Sequence, residues 1–152
     1  MKTWEFRLNN QSVSALTHRT ISFPAFSGLA EHVNRQISAC IPNKGPIPPG
    51  EYYIFNRQSG GTLGWFRDLF NGRRDWFALY ANDGVIDDET WCEQVKRGQF
   101  RLHPKGPSGI SHGCIVLKNS ADFQQLSHRL RTEEGYRVEG IDLLAWGKVV
   151  VK

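Results

Sequence analysis

Two short stretches of this chain carry residues able to do chemistry: Phe100-Arg101-Leu102-His103, and Ser111-His112-Gly113-Cys114-Ile115-Val116-Leu117. A thiol becomes a nucleophile only as its thiolate, and a neighbouring imidazole makes and holds that thiolate. Gly113, just before Cys114, lets the backbone turn tightly and lets a substrate come close. The same turn can aim backbone N–H groups at a developing oxyanion. His103 precedes Cys114 by 11 residues, a gap short enough for neighbouring strands to bring the two together. Cys114 is thus the candidate nucleophile and His103 its candidate base. Arg101 is two residues before His103 and shares its side of a strand. Its guanidinium can hold a substrate carboxylate through two bonds or be taken by an acid of the protein itself. No side chain stands out as the group that orients His103, and a backbone carbonyl would serve.

Blander readings compete with this one. A cysteine followed by Ile-Val-Leu is commonly a buried core residue. His112 and Cys114, with His103 and Cys92, are also an imaginable zinc set, although zinc hydrolases show tighter ligand signatures. Cys40 and Cys92 lack the Ser-His-Gly context of Cys114 and read as buried thiols. His18 and His32 lie among charged neighbours and read as solvated, as does His128 off the apolar stripe of its helix.

The elements that must position these residues are mostly short strands. Trp4, Phe6 and Leu8 alternate with polar residues, the period of a half-buried strand. Asn9 to Ser12 is a turn, after which Val13, Ala15, Ile21 and Phe23 resume the alternation. Leu29, Val33 and Ile37 recur at four-residue spacing and predict a short helix. Pro42 to Gly50 holds four prolines and two glycines, which excludes helix and predicts a rigid turn into a strand at 51–55. A glycine-containing loop at 59–62, a helical turn or two over 63–70 and a turn at 71–74 lead to an apolar strand at 76–80. The acids at 87–89 predict a helical turn reaching Val95. Strands at 100–103 and 114–117 flank the Gly/Pro/Ser loop 105–111. Asn119-Ser120 caps a helix with Phe123, Leu126 and Leu130 as its buried stripe, and Gly135 stops it. A strand or hairpin over 143–151 ends the chain. About eight strands and one clear helix make a mainly β fold over a single domain, residues 1–152.

Composition bounds the partners. The chain has 152 residues, 19 Lys plus Arg against 15 Asp plus Glu, and a net charge of +4. That is a mild bias toward anionic partners and far from a nucleic-acid footprint. No apolar run approaches the length of a membrane span, so no membrane insertion is expected. No basic segment leading into an apolar one follows Met1, so no signal peptide is recognisable and synthesis in the cytoplasm is expected. Three cysteines leave at least one outside any disulfide.

Ser111-His112-Gly113-Cys114 with an upstream histidine resembles the L,D-transpeptidase catalytic signature. The spacing of 11 is shorter than in the bulk of that family. It resembles instead the L,D-transpeptidase-like toxins delivered by type VI secretion systems. Phe23-Pro24-Ala25-Phe26-Ser27-Gly28, Gly45-Pro46-Ile47-Pro48-Pro49-Gly50-Glu51-Tyr52, Asp75-Trp76-Phe77-Ala78-Leu79-Tyr80, Asp83-Gly84-Val85-Ile86-Asp87-Asp88 and Arg97-Gly98-Gln99-Phe100-Arg101-Leu102-His103-Pro104 agree with that branch. The match runs from about residue 4 to 150.

The resemblance implies a fold, an activity and partners. The fold is an L,D-transpeptidase-like β-sandwich or barrel with its helix after the catalytic cysteine. The activity is attack by Cys114 on the meso-diaminopimelate–D-Ala bond of peptidoglycan tetrapeptide stems. Water then resolves the acyl-enzyme (L,D-carboxypeptidase), or a D-amino acid does (exchange), or a second stem (cross-linking). Ser111 and His112 match positions that shape and polarise the pocket, and the Gly113 and Cys114 amides are the oxyanion candidates. No cofactor and no metal are implied. Partners are the stem peptides, a type VI delivery component and a cognate immunity protein, with secretion without a signal peptide and action in the target-cell periplasm. In that oxidising compartment Cys40 and Cys92 become a candidate pair. Trp65, Phe66, Trp76 and Phe77 are candidates to line a groove, against a core-strand reading for 76–80. Two alternatives stand beside the toxin: a housekeeping transpeptidase cross-linking the producer's wall, and a wall-binding module without catalysis.

Overall fold

The structure is a computed structural model and describes residues 1–57, 76–106 and 113–152. Alternating apolar residues build it from strands: β1 (Thr3–Phe6), β2 (Ser14–His18), β3 (Ile21–Phe26), β4 (Gly50–Asn56) and β5 (Phe77–Ala81). A hairpin of β6 (Glu89–Cys92) and β7 (Val95–Gly98) follows, then β8 (Arg101–Pro104) and β9 (Ile115–Leu117). Helix α1 (Ser120–Arg131), a small sheet of β10 (Tyr136–Arg137) with β11 (Leu144–Ala145), and β12 (Gly147–Val151) complete it.

Eight of these strands close into a barrel in the order β1-β12-β4-β5-β8-β9-β3-β2. β1–β12 and β8–β9 are parallel and the other described neighbours antiparallel. Closure leaves no unpaired strand edge in this sheet. Every second residue points inward: Trp4, Phe6, Leu16, Phe23, Ile54, Phe77, Leu79, Leu102, Ile115, Leu117 and Val149 form one core. Phe123, Leu126 and Leu130, the apolar stripe of α1, join that core. Asp122 sits in the first turn of α1, and Arg129 and Arg131 in its last, matching the helix dipole.

A second, smaller cluster lies outside the barrel. Phe55, Ala78 and Tyr80 on β4 and β5 pack against Ala145, Val138, Ile141 and Leu143. The segment around β10 and β11 therefore covers the outer face of β4 and β5. The outer face of β8 and β9 is where the chemistry-bearing residues lie.

The mainly β fold with one helix after Cys114 is as expected, but several local readings differ. Twelve strands are described rather than about eight, because four belong to two small hairpin sheets off the barrel. The helix expected at 29–41 is two 3-10 turns, Ala30–His32 and Gln36–Ser38. Ala30 and Asn34 take positive φ and interrupt it, and Ile37 is 90% exposed. The helical turn expected at 87–95 is the β6–β7 hairpin, turned by Glu93 at φ 56. In β2 the buried phase is Ser14 and Leu16, not Val13 and Ala15. Ser14 is accommodated inside because its hydroxyl donates to the Arg7 carbonyl, 2.6 Å away. Helix α1 ends at Arg131, before Gly135, with Thr132 as its last cap. The readings at 59–74 lie outside the described residues.

Candidate active site

The register of β8 on β9 pairs Leu102 with Ile115 and His103 with Val116. One step back along both strands, Arg101 comes beside Cys114. On the other side of β8, Ala78 pairs with Arg101, so Trp76, just before β5, comes beside His103. Leu102, Ile115 and Phe77 point into the core. Their alternating neighbours Arg101, His103, Cys114 and Trp76 therefore share the barrel's outer face.

His103 is held tightly. It is 6% exposed, and its Nδ1 lies 2.8 Å from the Pro104 carbonyl oxygen. A carbonyl only accepts, so Nδ1 carries the hydrogen and donates it, leaving Nε2 of the neutral ring as the basic nitrogen. This backbone carbonyl is the orienting group that no side chain was expected to supply. The indole of Trp76 stacks on the imidazole with centroids 3.9 Å apart and planes 13° from parallel. The Arg57 guanidinium lies over the other part of this stack, 5.7 Å from the Trp76 ring centre. An aromatic face attracts a cation resting on it, and Trp76 thus has the Arg57 guanidinium and the His103 ring as its neighbours.

Arg101 grips Asp88. Its Nη1 and Nη2 donate to Oδ1 and Oδ2, each at 2.7 Å, and Nη1 also reaches the Phe100 carbonyl at 2.9 Å. Of the two readings open for Arg101, carboxylate holder and ion-paired arginine, the second is the arrangement present. Burial pulls its pKa down, and the Asp88 bonds and charge, with Tyr80 and Cys114, more than offset this and leave it raised. Cys114 is thus among the groups that act electrostatically on Arg101.

Cys114 is partly exposed and outside the disulfide. Gly113 before it has φ +103, and a Cβ there would meet Arg97 Nη2 at 2.6 Å and Phe100 Cε1 at 2.9 Å. Only glycine fits, for both backbone and space. Arg97 itself is 4% exposed and sits over the Phe100 ring at 5.3 Å. Its guanidinium donates to the carbonyls of Ala39, Gly45 (3.1 Å) and Pro46 (3.1 Å). Burial lowers its pKa, and Tyr52 acts against that. The Cys40–Cys92 disulfide joins the same turn to β6, with Cα atoms 5.2 Å apart. Arg97 and this bond together fasten the 39–46 turn to the β6–β7 hairpin, behind the Gly113–Cys114 turn.

The structure thus places Arg101, His103 and Cys114 on one outer face, with Cys114 beside Arg101 and two residues out of register with His103, and Gly113 just before it. Ser111, His112, Trp65 and Phe66 lie outside the described residues. Cys92 is spent in the disulfide and is no metal ligand, and among the described residues no group of three or more His, Cys, Asp or Glu side chains is arranged to hold a metal. His128 is exposed, as expected, whereas His18 and His32 are half-buried, bonded to the Thr3 carbonyl and the Ser38 hydroxyl. Three site residues escaped the sequence reading: Asp88, Arg97 and, in its stacking role, Trp76. Each lies in a segment quoted above for its resemblance, the only signal that could have found them.

Neither the search of curated proteins nor that of solved structures gave a match. The family model of the Tlde1 domain matches residues 21–141. That span holds β3 to β10, hence every residue of the site just described. The chain belongs to the Tlde1 domain family, a family of type VI secretion effectors.

Proposed function

We propose that the protein is a cysteine acyl-transfer enzyme that acts on peptidoglycan tetrapeptide stems as an antibacterial effector. What supports this is the placement of Cys114 and His103 on one face of the parallel β8–β9 pair, two residues out of register, with Nδ1 of His103 bonded to the Pro104 carbonyl. His103 Nε2 takes the thiol proton. The thiolate attacks the carbonyl carbon of the meso-diaminopimelate–D-Ala bond, and the oxyanion is met by the Gly113 and Cys114 amides. The C–N bond breaks, the imidazolium gives its proton to the leaving D-Ala amine, and a thioester remains on Cys114. Water, a D-amino acid or a second stem then displaces the sulfur. Arg101 supports the thiolate by charge and Trp76 supports the imidazolium.

The Cys40–Cys92 disulfide supports action in an oxidising compartment, here the target-cell periplasm. A type VI component delivers the protein there, and an immunity protein in the producer covers the Cys114 face. The test is muropeptide mass spectrometry after incubating tetrapeptide-rich sacculi with the wild type and with Cys114→Ala. Loss of terminal D-Ala with the wild type alone, and a thioester adduct on Cys114, are expected. An unchanged muropeptide profile with the wild type overturns the reading.

A further inference from the structure

Beyond His103, on the same outer face, the two catalytic strands continue into a basic cavity. Lys105 follows His103 by two residues, and Lys118 follows Val116 by two. The Lys105 amide donates to the Leu117 carbonyl at 2.9 Å, and the Lys118 amide to the Pro24 carbonyl at 3.0 Å. These bonds carry the strand pairing one step past His103 and Val116, so the two lysines stand side by side. One such step is about 7 Å along a strand. Both lysines line a cavity of about 540 Å³ together with Arg35, Phe26 and Glu31. Phe26 pairs with Val116, which pairs with His103, so the cavity opens on the His103 side of the site, away from Arg101 and Asp88.

The cavity is built rather than incidental. Its far walls, the 10–12 turn and the 30–35 segment, are tied by Asn34, which is fully buried. Asn34 Nδ2 donates to the Gln11 carbonyl and its Oδ1 accepts from the Ser27 amide, each at 2.9 Å. The Asn10 amide donates to the Asn34 carbonyl at 2.9 Å. Ala30, on the wall, keeps φ at 53, a left-handed conformation that an alanine side chain disfavours. Three cations face one acid, and Glu31 has His32 Nε2 3.5 Å away.

We propose that Lys105, Lys118 and Arg35 form the acyl-acceptor subsite and hold the carboxylate of an incoming α-amino acid. The proposal rests on the acyl-enzyme reading above and concerns its second half. The acceptor amine must approach the thioester beside Nε2 of His103, which takes its proton. A C–N bond forms, the C–S bond breaks, and the proton passes to the Cys114 sulfur. An α-amino acid carries its carboxylate one carbon from that amine, so an amine at His103 directs the carboxylate toward the lysines. Water needs no such anchor. A free D-amino acid and the D-centre of meso-diaminopimelate in a second stem share this chemistry.

The test uses the full-length protein and purified disaccharide tetrapeptide, with D-methionine or D-methioninamide as acceptor. The readout is the partition of acyl-enzyme between water and acceptor, which does not depend on how fast the acyl-enzyme forms. The wild type should favour D-methionine over its amide by about tenfold, the worth of one charge-assisted contact. Lys105→Gln/Lys118→Gln should lose that preference, and Lys105→Arg/Lys118→Arg should keep it. Stem-to-stem dimers formed without added acceptor, and lost in the Gln variant, assign the subsite to the second stem; their absence beside D-methionine exchange assigns it to free D-amino acids. Equal use of acid and amide by the wild type, or an unchanged partition in the Gln variant, overturns the proposal. D-Ala release with no transfer to any amine overturns the subsite and leaves the acyl-enzyme reading standing; no D-Ala release and no adduct on Cys114 overturns both.

Discussion

Trp76 lies flat against the imidazole of His103, at 3.9 Å and 13° from parallel. The contact does two things at once. It fixes the ring plane that the Pro104 bond alone would leave free to swing, and in the proposed reaction it offers a π face to the imidazolium that a proton from Cys114 would form.

Trp76→Leu removes the π face while keeping an apolar neighbour. A stacked cation of this kind is worth about 1–2 kcal/mol, so the rate of acyl-enzyme formation should fall about tenfold. Trp76→Phe should retain most of it. Pre-steady-state release of D-Ala measures the step directly; equal rates for Trp76→Leu and wild type would falsify the stacking role.

Arg101 supplies positive charge next to Cys114 and is coupled to it electrostatically. A cation lowers the pH at which a thiol ionises, so its removal in Arg101→Met should move the inflection of Cys114 alkylation by iodoacetamide upward. Below the inflection the variant reacts more slowly than wild type, and at high pH the two converge. Arg101→Lys should fall between. An inflection that does not move would show that Arg101 serves only to hold Asp88.

Gly113 and Gly84 have almost the same φ, +103 and +102, but only Gly113 is crowded. A Cβ at Gly84 meets nothing within 4 Å, and one at Gly113 meets Arg97 and Phe100. Gly84→Ala should cost about 1–2 kcal/mol for backbone strain alone. Gly113→Ala should cost several-fold more and lose D-Ala release, because the turn before Cys114 must shift. Urea unfolding midpoints compare the two; similar midpoints would contradict the packing argument.

The Cys40–Cys92 bond spans 52 residues. Bonds closing loops of this size contribute about 2–4 kcal/mol, which in a chain this long is about 4–16 °C in Tm. Cys40→Ser/Cys92→Ser, or reduction of a Cys114→Ala protein, should produce that drop in a thermal scan. A shift of under about 2 °C would mean that the Arg97 cage alone holds the 39–46 turn to β7.

The parts of this molecule legible beforehand are those governed by local periodicity. The alternation in Trp4–Phe6, the strand that follows the Pro42–Gly50 turn, the stripe Phe123-Leu126-Leu130 and the strands that carry His103 and follow Cys114 all come from patterns of a few residues. What escaped depends on distant partners. Leu29, Val33 and Ile37 have helical spacing, but Ser27, Asn34 and Ile47 bond to one another and set the backbone there instead. Residues 87–95 carry acids suited to a helix start, yet the hairpin is held by the disulfide to Cys40 and by the bond from Thr90 Oγ1 to Asp83 Oδ2, 2.6 Å long. The same distance in sequence hid Asp88 from Arg101 and Arg97 from the carbonyls at 39–46, since nothing local distinguishes an arginine that ends among carbonyls from one in solvent.

The position of β12 between β1 and β4 governs the order in which the molecule can be completed. Until residues 147–151 are in place, β1 and β4 are open edges and the sheet cannot close. Yet β4, β5, β8, β9 and β3, the strands beneath the site and its cavity, are already consecutive neighbours. β12 therefore contributes closure and protection against edge pairing to a sheet whose site-bearing strands are neighbours without it.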